Sequence, residues 1–123
     1  MSDRVYTVEE ANATLPSLRE RLVAIREARS VMFASAELVR ERVAREGGGA
    51  AGDPRYWEAQ ATLKREIEWL AHEDILLRDP ETGLVDFPGE RDGRSVWLCW
   101  RLGEDRVAHW HEIDTGFIGR RPL

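Results

Sequence analysis

The stretch SVWLCWRLGEDRVAHWHEID, residues 95–114, decides how the chain is read. It holds three of the five tryptophans, the single cysteine and two of the three histidines. Two apolar-rich runs, SVWLCWR (95–101) and RVAHWHEI (106–113), flank a tight turn near GED, the pattern of an antiparallel hairpin. Its register sets the chemistry, because a slip of one residue moves every side chain to the opposite face. A two-residue loop would place His109 and His111 with Val96, Leu98 and Trp100, mixing imidazoles into a core face. A three-residue loop places Val96, Leu98, Trp100, Ala108 and Trp110 on one face, and Trp97, Cys99, Arg101, His109 and His111 on the other. The second register separates apolar from polar, as a sheet covered on one side requires, and is the one expected. Cys99 then lies across from or diagonal to His109. An earlier run, LVDF (84–87), supplies a third strand, with Val85 and Phe87 on the core face and Asp86 on the polar one.

Upstream, the residues follow a helical period. Thr7 and Glu10 form a capping box. Val8, Ala11, Leu15, Leu18, Leu22, Ile25, Met32, Ala36, Val39 and Val43 then make a heptad seam interrupted only by Arg29. This predicts a helix over 8–46, about 60 Å long, with a bend at Pro16 and an end at the GGG of 47–49. Asp53 caps a second helix over 54–77, with Pro54 at its first position. Tyr56, Leu63, Ile67, Leu70 and Leu77 form its stripe, interrupted by Gln60 and Asp74. Folding the chain at residue 50 brings Asp74 near Arg29 as a register-fixing ion pair. It also leaves Leu15, Leu18 and Leu22 beyond the second helix and facing the sheet. The expected architecture is α+β: a long antiparallel helical hairpin packed on a small three-stranded antiparallel sheet. A single domain of 1–123 comprises the helices 8–46 and 54–77, the sheet over 84–113 and a C-terminal tail over 114–123.

Composition narrows the class of function. A net charge of −5 argues against a dedicated nucleic-acid binder. One cysteine excludes an internal disulfide and suits a reducing, cytoplasmic location. MSDRVYTVEE has no apolar signal core, and no apolar run approaches a membrane span.

The polar face offers the sharpest chemistry. Cys99, His109, His111 and Asp86 combine a soft thiolate, paired imidazoles and a carboxylate, a set suited to zinc or iron. The alternative is a mixed, half-exposed sheet face with Cys99 behaving as a small hydrophobe. Activation of Cys99 by His109 as a nucleophile is disfavoured by its mid-strand position. His72, Glu73 and Asp74 point in different directions on a helix and read as a solvated face. Trp97 and Arg101 could form a stacking platform, and Arg120 and Arg121 in GFIGRRPL an anion clamp. A tie-down of the tail through Asp114 or Glu112 is the stronger reading of those two arginines. The surplus of seam on the first helix points to a homodimer through that helix, or to another protein partner.

With GLVDFP, LCWRLGE, WHEID and GFIGRRPL in view, the chain resembles domain of unknown function family 2203, an uncharacterised prokaryotic family, from YTVEEANATLPSL to RRPL. The resemblance implies a helical hairpin joined to a small sheet and no established activity. The family pattern does not require histidine at position 109, which moves the expected ligand set toward Cys99, His111 and Asp86 or Glu112. The leading expectation is a helical-hairpin interaction protein, homo-oligomeric and without catalysis of its own. The alternative is a metal-binding protein or small metalloenzyme using the sheet face.

Overall fold

The computed structural model describes residues 4–46 and 53–123. Helix α1 spans Val8–Glu46 and helix α2 spans Pro54–His72. An antiparallel sheet follows, with β1 (Leu76–Asp79), β2 (Leu84–Arg91), β3 (Arg94–Arg101), β4 (His109–His111) and β5 (Arg121–Pro122) in sequential order. A 3-10 turn at Phe117–Gly119 precedes β5. The α+β class holds, but the sheet has five strands where three were expected. The GGG stop at 47–49 lies outside the described residues.

The capping box forms at the start of α1. The Thr7 amide donates to Glu10 Oε1 at 2.8 Å, and the Glu10 amide donates to Thr7 Oγ1 at 3.0 Å. The helix then continues through Pro16. Its buried stripe is Ala11, Leu15, Leu18, Leu22, Ile25 and Ala28, in steps of three and four. Asp53 caps α2 by accepting from the Arg55 amide.

Three departures from the expected hairpin have physical causes. First, α2 ends at His72 rather than at residue 77. Asp74 takes a left-handed conformation (φ 58°), and the Ile75 amide bonds back to the Leu70 carbonyl at 3.0 Å, which closes the helix. Of the apolar ILL that extended the helical pattern, Ile75 is buried and Leu76 and Leu77 begin β1. Second, the helices are offset. Arg21 meets Glu66 at 2.8 Å, and Tyr6 Oη donates to the Glu73 carbonyl at 2.5 Å, so the end of α2 lies beside the start of α1. The Arg29–Asp74 pair therefore does not form, and Arg29 stacks on Phe33. The uncovered part of α1 is its C-terminal end, and Leu15, Leu18 and Leu22 are fully buried. Third, the strands expected to end at Phe87 and to begin at Ser95 extend into the PGERDGR between them. β2 and β3 run to Arg91 and from Arg94, joined by Asp92 and Gly93 at φ 53° and 75°, the two-residue Asp-Gly turn that matches strand twist.

The decisive register is the expected one. Leu98 pairs with Trp110, Cys99 with His109 and Trp97 with His111, although the connection from β3 to β4 is longer than three residues. Val85, Phe87, Val96, Leu98, Trp100 and Trp110 form the core face, and α1 covers it. Val107, rather than Ala108, completes that face. The Val107 amide donates to Asn12 Oδ1 at 2.8 Å, and the Tyr6 amide to the Pro88 carbonyl at 2.7 Å, which ties α1 across the sheet.

Burial pushes the Tyr6 phenol up to about 12 from its ordinary value of 10.0. A raised value in the folded state means its contribution is complete below pH 10 and is lost as pH climbs toward 12. Wild type is therefore expected to lose its stability advantage over Tyr6→Phe across that window. Urea midpoints of the two proteins measured from pH 9 upward check this, and a constant gap would refute it.

Candidate functional site

The polar face of the sheet brings Asp86 (β2), Cys99 (β3) and His111 (β4) into one buried cluster. Their ligand atoms all lie within 4.8 Å of one another. Alternation places each of the two strand-interior members between core residues: Val85 and Phe87 flank Asp86, and Leu98 and Trp100 flank Cys99. The hydrophobic effect thus fixes where the polar atoms sit.

His111 is held at both nitrogens. Nδ1 lies 2.7 Å from the Glu112 carbonyl oxygen, which only accepts, so Nδ1 carries a proton. Nε2 lies 3.0 Å from each oxygen of Asp86. At 3.0 Å the imidazole and the carboxylate are at hydrogen-bond distance, slightly closer than the roughly 3.3 Å that two ligands of one tetrahedral ion keep. Asp86 further receives Arg78 Nε at 2.8 Å. Arg78 is the extra residue of a β-bulge between Leu77 and Asp79, which aims its side chain at Asp86 and lays it on the Trp97 ring at 5.0 Å.

Cys99 is 1% exposed. Burial, reinforced by the negative charge of Asp86, pushes its thiol up to about 11, while Arg120 acts in the opposite direction. This is the reverse of what a free nucleophile needs. A metal ion would supply the missing stabilisation of the thiolate.

The tail of the chain covers this face. Arg120 makes a bidentate pair with Glu104 at 2.5 and 3.1 Å and also contacts Cys99. Glu104 is held below the usual carboxylate range, against its own burial, by Arg120 and the Arg101 amide. Phe117 lies under Arg120 and Arg101 at 4.4 and 5.1 Å. Between tail and sheet is a cavity of about 400 Å³, open to solvent, that reaches Asp86, Cys99 and His111.

Other sequence candidates separate. His109 faces Cys99 across the strands but stands outside the ligand cluster, with Nδ1 buried and without a hydrogen-bond partner among the described residues. Glu112 contributes its carbonyl, while its carboxylate pairs with Arg94 at 3.0 Å. Arg120 ties the tail down through Glu104 rather than Asp114 or Glu112. Arg121 instead stacks on Trp110, so the two arginines form no common clamp. Trp97 and Arg101 likewise serve different partners, Arg78 and Phe117. Glu73 is engaged with Arg4 at the end of α2. Sequence reasoning missed Arg78, which lay between the expected end of the second helix at residue 77 and the first expected strand, and the contact of Arg120 with Cys99. The bulge leaves no mark in composition or period.

These features define a small α+β protein with a mixed oxygen, nitrogen and sulfur donor set beside a cavity. The chain belongs to the family of uncharacterized conserved proteins DUF2203, whose model matches residues 4–123. No curated protein and no solved structure matches significantly. Among the described residues, no helix is long and apolar enough to cross a membrane.

Proposed function

We propose that this chain is a metal-binding protein in which Asp86, Cys99 and His111 hold a divalent transition ion, zinc or ferrous iron, with one coordination position facing the cavity. The observation that carries this reading is the His111 imidazole. Its Nδ1–H is spent on a carbonyl, and its Nε2 is aimed at two carboxylate oxygens beside a thiol. A carbonyl behind a ligating histidine is the usual outer partner that fixes the tautomer. Three protein ligands and an open position are the arrangement by which zinc polarises a bound water or substrate. Ligand atoms around such an ion stand about 3.3–3.8 Å apart, so loading would draw the widest pair in by about an ångström and part His111 Nε2 from Asp86 by a few tenths of one. A reducing cytoplasmic setting, which keeps a thiol available, belongs to the same proposal.

Titration of tag-free protein with zinc against a chromophoric chelator tests it, with cobalt as a reporter of thiolate ligation. Stoichiometric binding is expected, lost in Cys99→Ser and His111→Ala. Arg120→Met, which removes the charge beside the thiolate, is expected to weaken binding about 10–100-fold. Failure of wild type to compete, or equal binding by the ligand variants, would overturn the proposal.

The exposed end of α1 favours a second reading, association with another copy. Ser35 reaches Asp53 at the start of α2, so residues 36–46 project about 16 Å past that contact. Phe33, Leu38, Val43 and Trp57 are exposed around this end, and an apolar groove runs past Ala36, Val39, Tyr56 and Trp57. Sedimentation is expected to show a dimer that Val43→Glu converts to a monomer. A monomeric wild type at micromolar concentration would rule this out.

A further inference from the structure

The cavity beside the cluster carries information about what would occupy the open position. Its floor is Asp86, Cys99 and His111, and its walls include Arg78, Leu84, Ile113 and Phe117. Resting on the metal centre proposed above, we infer that the site binds a small monocarboxylate with an apolar body, its carboxylate placed between the metal and Arg78 and its body against Leu84, Ile113 and Phe117.

Charge balance selects a monoanion. A divalent ion is neutralised by the Asp86 carboxylate and the Cys99 thiolate. Arg120 is answered by Glu104 at 2.5 Å. The charge of Arg78 then remains, half-exposed at the edge of the cavity, and favours a ligand that brings one negative charge. Asp114, at the cavity mouth, is exposed and screened by solvent.

Geometry selects a carboxylate. Arg78 is fixed at Nε by Asp86 and stacked on Trp97, so its plane is set before any ligand arrives. Its terminal nitrogens have no protein acceptor among the described residues. A planar guanidinium fork suits a planar two-oxygen acceptor. The walls select the rest of the molecule. Leu84 and Phe117 are half-buried and Ile113 is 53% exposed, so an apolar body would remove all three from water. A volume of about 400 Å³ lies in the range of small-molecule sites.

Isothermal titration of the zinc-loaded protein with phenylacetate tests this, with acetate and neutral phenylacetamide as comparators and zinc content measured on the same samples. Phenylacetate is expected to bind once per chain, at least about tenfold tighter than either comparator. Arg78→Met, compared at saturating zinc because Arg78 also holds the ligand Asp86, is expected to lower that affinity about 10–100-fold per zinc-loaded chain. Phe117→Ala, which leaves the Asp86 contacts intact, is expected to cost about tenfold. Phenylacetate binding no better than phenylacetamide, or unchanged in both variants, overturns the inference and leaves the metal centre standing. Failure to load zinc overturns both.

Discussion

Replacing Asp86 with alanine is expected to abolish zinc binding and to destabilise the fold by about 3–5 kcal/mol, the cost of removing one partner from a buried charged set. The carboxylate is 2% exposed and receives both Arg78 and His111. Without it, the His111 Nε2 and the Arg78 Nε lose their acceptor; the imidazole is 2% exposed and bears the larger cost, while the half-exposed guanidinium turns to solvent. Asp86→Asn keeps the volume and one acceptor oxygen, and is expected to lose metal while retaining more of the stability. Urea unfolding and chelator competition on the two variants separate the roles. A loss below about 1 kcal/mol in the alanine variant, with zinc still bound, would show that the cluster is not anchored on this residue.

Trp100→Ala is expected to cost about 3–5 kcal/mol, whereas Trp97→Ala, three residues earlier on the same strand, is expected to cost less than about 1.5 kcal/mol. Trp100 is fully buried on the core face, donates to the Glu104 carbonyl at 3.2 Å and lies under Arg19. Trp97 lies on the polar face, half-buried, as the surface beneath Arg78. Its removal is expected to act on the site, weakening phenylacetate binding about as much as a partial loss of Arg78. Denaturant midpoints for the two variants read the register directly. Equal losses would mean that the alternation along β3 is wrong.

Much of this arrangement is legible in the amino-acid sequence. Val96, Leu98 and Trp100 share a face with Trp110, and Cys99 with the histidines, in only one register, and that register puts Asp86, Cys99 and His111 on one side. The capping box at Thr7 and Glu10 and the cap at Asp53 are local and readable for the same reason. The features that escape such a reading are non-local or depend on one residue. The offset of α2 against α1 is set by tertiary pairs such as Arg21–Glu66 and Tyr6–Glu73, which no periodicity encodes. The ILL after Asp74 suits a helix or a buried strand equally, and the left-handed Asp74 decides between them. Asp92-Gly93 is a readable turn signal that the surrounding polar residues obscure. The choice between His109 and His111 does not follow from alternation, since both share a face. It depends on Asp86 lying diagonally from His111 across β3.

The alternation of core and cluster residues along β2 and β3 has a consequence for time rather than for energy. Asp86 and Cys99 sit in the ladder between Val85, Phe87, Leu98 and Trp100, so their amides exchange with solvent only when the core itself opens. The tail carrying Phe117 and Arg120 is held by the short β5, by the Leu123 amide on the Ala108 carbonyl at 2.9 Å and by the pair with Glu104. Those bonds break locally. On the metal-binding reading proposed above, the two strand-interior donors would stay assembled as long as the core does, and access to them would be set by the more locally held C-terminal tail.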